Sequence, residues 1–191
     1  MAVVTASEVL DFWFGDPPSA EARDEWFRKD DAFDVLIRER FAGTLEAALQ
    51  GSLRDWDATP AGALARIVVL DQFTRNAFRD TPRSFAGDAL AREAAVALVD
   101  SGGDRQLPPL QRWFAYLPFE HAEDLAAQER ALQLYTQLAA DAPALADALE
   151  WAKKHLVVIA RFGRFPHRNA VLGRTSTVEE TEFLRQPGSR F

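Results

Sequence analysis

The sequence predicts an all-α protein. Apolar residues recur at spacings of three and four over most of the chain, which is the period of an amphipathic helix. Proline, glycine and capping residues mark the ends of these periodic stretches. No stretch alternates convincingly between apolar and polar residues, and no Asn-Gly or Asp-Gly turn joins two apolar runs, so strands are not expected. We expect about eight helices, and their short connections should make most neighbours antiparallel.

Four helices are predicted in the first half of the chain. Thr5 and Glu8 have the spacing of a capping box, which opens the first helix, and Gly15 ends it. The second helix has apolar residues at helical spacing from Phe33 onward. The third begins near Pro60, since proline is favoured in the first turn of a helix. The four helices are expected over about residues 5–14, 31–50, 60–75 and 84–99.

Four more helices are predicted in the second half. Two prolines at 108–109 open a short helix, and Pro118 is expected to interrupt it, because proline lacks the backbone donor that a helix needs. Gly163 is expected to end the seventh helix, and Thr177 with Glu180 forms a second capping box. These helices are expected over about residues 108–117, 120–140, 143–162 and 177–184.

A single helical domain is expected over residues 1–191. A chain of 191 residues corresponds to one ordinary domain, and it is long enough to bury a core without disulfides. The apolar faces of the predicted helices define this core. Its predicted members include Trp13, Phe14, Phe41, Ile67, Leu132 and Leu156.

The composition excludes several classes of function. The chain has no cysteine, which rules out disulfides, thiolate zinc sites and iron–sulfur clusters. Its net charge of −7 argues against nucleic acid as a partner. The apolar runs are too short for a membrane span and the N-terminus does not resemble a signal peptide, so we expect a cytoplasmic protein without membrane contact. No nucleotide-binding motif is present, and no cofactor is expected.

Polar residues interrupt an apolar helix face between positions 70 and 76. Asp71 and Arg75 lie one helical turn apart on this face, so each can neutralise the charge of the other. One interpretation is an internal ion pair that fixes the end of the helix. The other is a ligand-binding site in which Asp71 holds Arg75 in place, with Gln72 and Asn76 beside it.

A second polar segment spans residues 118–124. His121 and Asp124 are three residues apart, a spacing that suits an oriented general base or a pair of metal ligands. Carboxylates in this segment are equally consistent with ordinary stabilisation of a helix N-terminus. The sequence lacks the Glu-x-x-His pattern on two helices that is typical of di-iron bundles. It also lacks the His-Glu-x-x-His pattern of zinc metalloproteases, so no metal site is predicted. His121 and Asp124 are therefore candidate catalytic residues.

The third polar segment, residues 153–174, contains six Lys or Arg residues and no acid. Since the whole chain has a net charge of −7, the other residues carry −13. Arginines in a loop with glycine, phenylalanine and proline can present guanidinium groups to a carboxylate or phosphate. Alternatively, they pair with acids of the other two segments. His167 is a further candidate catalytic residue. The candidate ligand-binding residues of this segment are Arg161, Arg164, Arg168 and Asn169.

These segments together resemble one bacterial family. The resemblance rests on residues 11–15, 26–27, 29–30, 70–76, 118–124, 161–169 and 172–177. They are similar to the family catalogued as domain of unknown function 924, over nearly the whole chain. The resemblance implies a tetratricopeptide-like helical superhelix, although no 34-residue repeat can be traced, and it implies no particular activity. Ala122 stands where the family leads us to expect a serine, which argues against a nucleophile there.

Two functions from different classes remain open. In the first, the three polar segments converge on a pocket that binds, or chemically transforms, a small anionic carboxylate or phosphate. In the second, the helices present a groove to a partner protein, as tetratricopeptide-like folds commonly do, and the polar segments are purely structural. The sequence does not name a reaction.

Overall fold

Helices dominate the computed structural model, which describes residues 2–18 and 21–189. Within these ranges there is no β-strand, and the predicted all-α class is confirmed. None of the described helices is long and apolar enough to cross a lipid bilayer. The α-helices are α1 (Ala6–Phe14), α2 (Asp31–Leu49), α3 (Pro60–Ile67), α4 (Thr74–Ala77), α5 (Asp88–Asp100), α6 (Pro109–Glu120), α7 (Leu125–Asp141), α8 (Ala146–Phe162) and α9 (Val178–Phe183).

Helices α3 and α4 are joined into one continuous rod by a π-helical turn, Val68–Phe73. Counted as one helix, the rod brings the helices of the described residues to eight, in agreement with the predicted number. A π-helical turn is wider than an α-helical one, and such turns are frequent at functional sites. The hydroxyl group of Thr74 donates to the carbonyl oxygen of Leu70 at 2.7 Å within this segment. The π-helical turn buries Asp71 inside the molecule.

Both predicted capping boxes are present. The side chain of Thr5 accepts the backbone N–H of Glu8, and the Glu8 side chain accepts the N–H of Thr5. Thr177 and Glu180 make the same reciprocal pair at the start of α9. Each box satisfies two backbone donors that a helix N-terminus would otherwise leave without a partner.

The expected break at Pro118 is wrong. Helix α6 continues through Pro118 to Glu120, and α7 begins at Leu125 rather than near residue 120. Pro118 lies in the last turn of α6, where it removes only one backbone hydrogen bond before the helix ends. The side-chain amide of Gln128 donates to the carbonyl oxygens of Glu120 and Ala122, at 2.6 and 2.8 Å, and so stabilises this helix end.

Most of the predicted core residues are buried. Leu132 and Leu156 are only half-buried, and their assignment to the core is wrong. In each case the preceding residue is the buried one, Ala131 on α7 and His155 on α8. The four predicted core residues that are almost fully buried are Trp13, Phe14, Phe41 and Ile67.

Candidate functional site

A buried carboxylate on the π-helical turn holds a histidine from another helix. Asp71 is 1% exposed, and its Oδ1 and Oδ2 atoms lie 2.8 and 3.0 Å from Nδ1 of His121. The side-chain amide of Gln72 donates to Asp71 Oδ2 at 2.6 Å. His121 follows the last residue of α6, so the end of that helix brings the ring to Asp71. Asp71, rather than Asp124, is therefore the carboxylate that orients His121.

Arg75 links Asp71 to a second carboxylate, Asp88, at the start of α5. Its Nη1 atom lies 3.1 Å from Asp71 Oδ1, which confirms the predicted pair. Nη1 and Nη2 donate to the two carboxylate oxygens of Asp88, at 2.9 and 3.2 Å. The sequence gives little sign of this role, because an acid in the first turn of a helix ordinarily complements the helix dipole.

A glycine allows α5 to approach the π-helical turn. Gly87 precedes Asp88, and a Cβ atom at this position would lie 2.1 Å from the carbonyl oxygen of Leu70. Any larger residue would force the two backbones apart. Because Leu70 precedes Asp71, this close crossing places Asp88 beside Asp71 and Arg75.

The second guanidinium group at Asp88 belongs to Arg168, from the loop after α8. Its Nη1 atom donates to Asp88 at 3.2 Å, and its Nη2 atom donates to the carbonyl oxygen of His121 at 3.0 Å. The rings of Phe85 and Phe165 lie 4.7 and 4.6 Å from Cζ, measured to their centroids. The Nε atom is buried and forms no hydrogen bond with any residue in the described part of the chain.

The three predicted polar segments therefore meet. Residues 70–76, 118–124 and 161–169 all contribute side chains to one region, as expected for a shared site. The contact between the first and third segments runs through Asp88 and through the backbone of His121. The residues called the central cluster below are Asp71, Arg75, Asp88, His121 and Arg168.

The remaining histidines lie beside the central cluster. Nδ1 of His155 is 3.0 Å from Oε1 of the buried Glu120, and the rings of His121 and His155 are 6.2 Å apart. Phe165 packs against His155 and His167, with ring centroids 5.5 and 5.6 Å away. All 3 histidines of the chain thus occupy one region. Histidine is the side chain whose ordinary pKa lies nearest neutral pH, so these rings are the candidates for proton transfer in this region.

Burial and neighbouring charges determine the protonation states. Burial disfavours the ionised form of Asp71, but Arg75 and His121 outweigh it and lower the pKa of this carboxyl group. Burial and the positive charge of Arg75 lower the pKa of His121 although Asp71 raises it, so the neutral ring is favoured at pH 7. Burial lowers the pKa of His167 to about 3. Burial and the positive charge of Arg75 lower the pKa of Arg168 to about 10.

The central cluster is partly open to solvent. The side chains of Arg75, His121 and Asp88 are 20%, 17% and 23% exposed. Asp71 and Arg168 are nearly sealed, at 1% and 7%. The three partly exposed side chains, called the mouth of the cluster below, reach solvent, whereas Asp71 and Arg168 are buried.

Salt bridges hold the loop that carries Arg168. Glu123 accepts the backbone N–H of Phe165 at 2.7 Å and both Nη groups of Arg174 at 2.6 and 2.8 Å. Nε of Arg174 donates to the side-chain oxygen of Asn169 at 2.9 Å. The loop therefore has one defined conformation, and Arg168 enters the cluster from a rigid support.

Two predicted ligand-binding residues take part in this support. Arg164 donates to both carboxylate oxygens of Glu180, at 2.6 and 2.8 Å. The amide nitrogen of Asn169 donates to Glu180 at 3.2 Å and to the hydroxyl oxygen of Ser176 at 3.0 Å. Both side chains therefore connect the loop to α9 and position Arg168 indirectly.

Three other predicted site residues lie outside the central cluster. Asn76 donates to the buried carboxylate of Asp34 at 2.8 Å. Asp124 accepts a backbone N–H in the first turn of α7 at 2.8 Å and is exposed. Arg161 is exposed, and its guanidinium group stacks on Phe162 at 4.7 Å. Over residues 2–18 and 21–189, no group of three His, Asp or Glu side chains could hold a metal ion.

Comparison with known families places this arrangement among bacterial proteins. The model of a family described as "Bacterial protein of unknown function (DUF924)" matches residues 9–188. The chain belongs to this family. The resemblance inferred from the sequence is thereby confirmed, and the tetratricopeptide-like classification that it implied stays a prediction.

A solved structure is similar over almost the whole chain. It is the protein of unknown function ATU0120 from Agrobacterium tumefaciens, which is 40% identical, with a TM-score of 0.84. The match covers 94% of this chain and 96% of that chain. No curated protein matches the sequence. The solved structure supports the fold, and neither it nor the DUF924 family is described with an activity.

Proposed function

We propose that the protein binds a small carboxylate or phosphate anion at the mouth of the central cluster. The observation that carries this proposal is the pair of guanidinium groups of Arg75 and Arg168 on the single carboxylate of Asp88. Both arginines use Nη atoms for these contacts. The buried Nε–H of Arg168 has no acceptor among the described residues. A buried donor without a partner costs about 1–3 kcal/mol, which an anionic oxygen would recover.

The charges of the central cluster are compatible with an anion. Arg75 and Arg168 balance the formal charges of Asp71 and Asp88, and the neutral His121 adds none. An incoming anion therefore meets no net negative charge from these five residues. The guanidinium groups are also held rigidly, so little conformational entropy is lost on binding.

His121 gives the site a group that can accept a proton. Asp71 fixes Nδ1 as the donor nitrogen, which leaves the lone pair on Nε2. A histidine oriented by a carboxylate is the usual arrangement of a general base. We propose His121 as the residue that would accept a proton from a bound ligand.

The test is calorimetric titration of phosphate and of small dicarboxylates into the purified protein. Arg75→Lys keeps the charge and loses the two-pronged contact, so it should weaken binding at least tenfold. Arg54→Lys is the matched control, because both Nη atoms of Arg54 donate to the carboxylate of Glu93, which lies outside the cluster and outside the loop that carries Arg168. The control should bind like the wild type.

Two outcomes of this titration would exclude the anion site. If no anion binds at millimolar concentration, or if both variants weaken binding alike, the anion site is excluded. The central cluster would then be an internal ion-pair network that stabilises the crossing of α4, α5 and α6.

A further inference from the structure

The hydrogen-bonding character of His121 restricts the chemistry of a ligand. Its Nδ1 atom lies 2.8 and 3.0 Å from the two oxygens of Asp71, so the proton of the neutral ring is on Nδ1. Nε2 is then an acceptor. It makes no hydrogen bond with the described residues, and the side chain reaches solvent at the mouth. A ligand atom that meets Nε2 must therefore be a donor.

Arg75, the second side chain of the mouth, has the opposite requirement. Its guanidinium group is a donor only: Nη1 and Nη2 donate to Asp71 and Asp88, and the N–H groups that remain call for an anionic oxygen. Arg75 Nη1 and His121 Nδ1 lie 3.1 and 2.8 Å from the same atom, Oδ1 of Asp71. The two side chains are thus close enough for one small molecule to contact both.

We propose that the ligand is a small hydroxy acid, whose carboxylate contacts Arg75 while its hydroxyl group donates to Nε2 of His121. This inference rests on the proposed anion site and specifies its ligand. A simple carboxylate offers only acceptors, so it would place oxygen lone pairs against the lone pair of Nε2. A hydroxyl group beside the carboxylate supplies the donor that is needed there.

The surrounding acids strengthen this preference. Asp71 on the π-helical turn, Asp88 on α5 and Glu120 on α6 all lie near His121 or its direct partners. None of these carboxylates can donate to a ligand in its ionised form. The guanidinium groups of Arg75 and Arg168 bind the anionic end, and Nε2 of His121 is the neutral acceptor of the mouth for the hydroxyl hydrogen of the ligand.

Calorimetric titration at pH 7.5 with lactate and propanoate tests the inference, because these probes differ only in the hydroxyl group. We expect lactate to bind about tenfold more tightly, the usual effect of one well-formed hydrogen bond. His121→Phe keeps a ring and removes the acceptor. This variant should bind both probes with the affinity that the wild type has for propanoate.

A measurement on the wild type makes the test independent of the folding of that variant. The imidazole nitrogen-15 spectrum should show His121 Nε2 without a proton, and lactate should shift its resonance further than propanoate does. Equal affinities for the two probes, or equal shifts of the Nε2 resonance, would overturn the hydroxy-acid assignment and leave the anion site intact. If neither probe nor phosphate binds, the proposed function itself fails.

Discussion

Asp71 and His121 are 50 positions apart in the sequence, yet Oδ1 of Asp71 lies 2.8 Å from Nδ1 of His121. The contact joins the π-helical turn after α3 to the end of α6. Each partner is ionisable, and Asp71 is almost fully buried. Such pairs are costly to bury unless their hydrogen bonds are satisfied.

Gly87→Ala should destabilise the protein and displace Asp88. Its Cβ atom would lie 2.1 Å from the carbonyl oxygen of Leu70, so α5 must move away from the π-helical turn. Overpacking of this kind typically costs about 1–3 kcal/mol. Gly62→Ala is the control, because its Cβ would meet the carbonyl oxygen of Trp56 at 2.0 Å, outside the cluster. Chemical denaturation should show a loss for both, and only Gly87→Ala should impair anion binding.

Phe41→Ala should lower the free energy of unfolding by about 3–5 kcal/mol, since the ring is fully buried. Leu36 lies on the same helix and is 46% exposed, so Leu36→Ala should change stability by less than about 0.5 kcal/mol. Urea denaturation of both variants measures the difference. Equal losses would mean that the buried face of α2 is assigned incorrectly.

The stability of the protein should fall as the pH drops below the ordinary histidine range. The pKa of His167 is lowered from 6.5 to about 3 in the folded state, mainly by burial. The unfolded chain therefore binds the proton first, and folding loses about 1.4 kcal/mol per pH unit between these values. Replacing the ring by His167→Phe should flatten the dependence between pH 6 and pH 4, as followed by denaturation midpoints. An unchanged slope would contradict the burial of this histidine.

Arg174→Lys should weaken the loop that carries Arg168. The fork of Arg174 donates to both oxygens of Glu123, and lysine cannot reproduce this geometry. We expect a loss of about 1–3 kcal/mol, because the pair is only 24% exposed. Arg28→Lys, in a pair with Asp24 that is 76% exposed, should have almost no effect. Thermal unfolding of both variants measures the difference. Similar melting temperatures for Arg174→Lys and Arg28→Lys would contradict the proposed role of Arg174 in holding the loop.

Local patterns in the sequence predicted the helices and part of the site. The pair Asp71–Arg75 follows from helical spacing alone, and so does the polar interruption of an apolar face. Capping boxes are equally local, because both partners lie within four residues. These features need no knowledge of which helices pack together.

Other features depend on tertiary packing and left no local signal. Asp88 resembles an ordinary first-turn acid until α5 meets the π-helical turn at Gly87. Asn76 suits a ligand site by sequence, but α2 presents the buried carboxylate of Asp34 to it. His121 and Asp124 are close in sequence, but α6 ends and α7 begins between them. His121 therefore contacts Asp71, whereas Asp124 accepts a backbone N–H of α7. The π-helical turn adds one residue to a turn of the helix. The side chains that follow it therefore lie on a different face from the one that a constant helical period predicts.

The most direct test of the central claim is the nitrogen-15 spectrum of the histidine rings during titration with phosphate and small carboxylates at pH 7. The chain has only 3 histidines, and all of them lie in or beside the central cluster. An anion at Arg75 and Arg168 should shift the His121 resonances saturably, with an affinity that Arg75→Lys weakens and Arg54→Lys preserves. Histidine resonances that stay unchanged through millimolar concentrations of every anion would contradict the account.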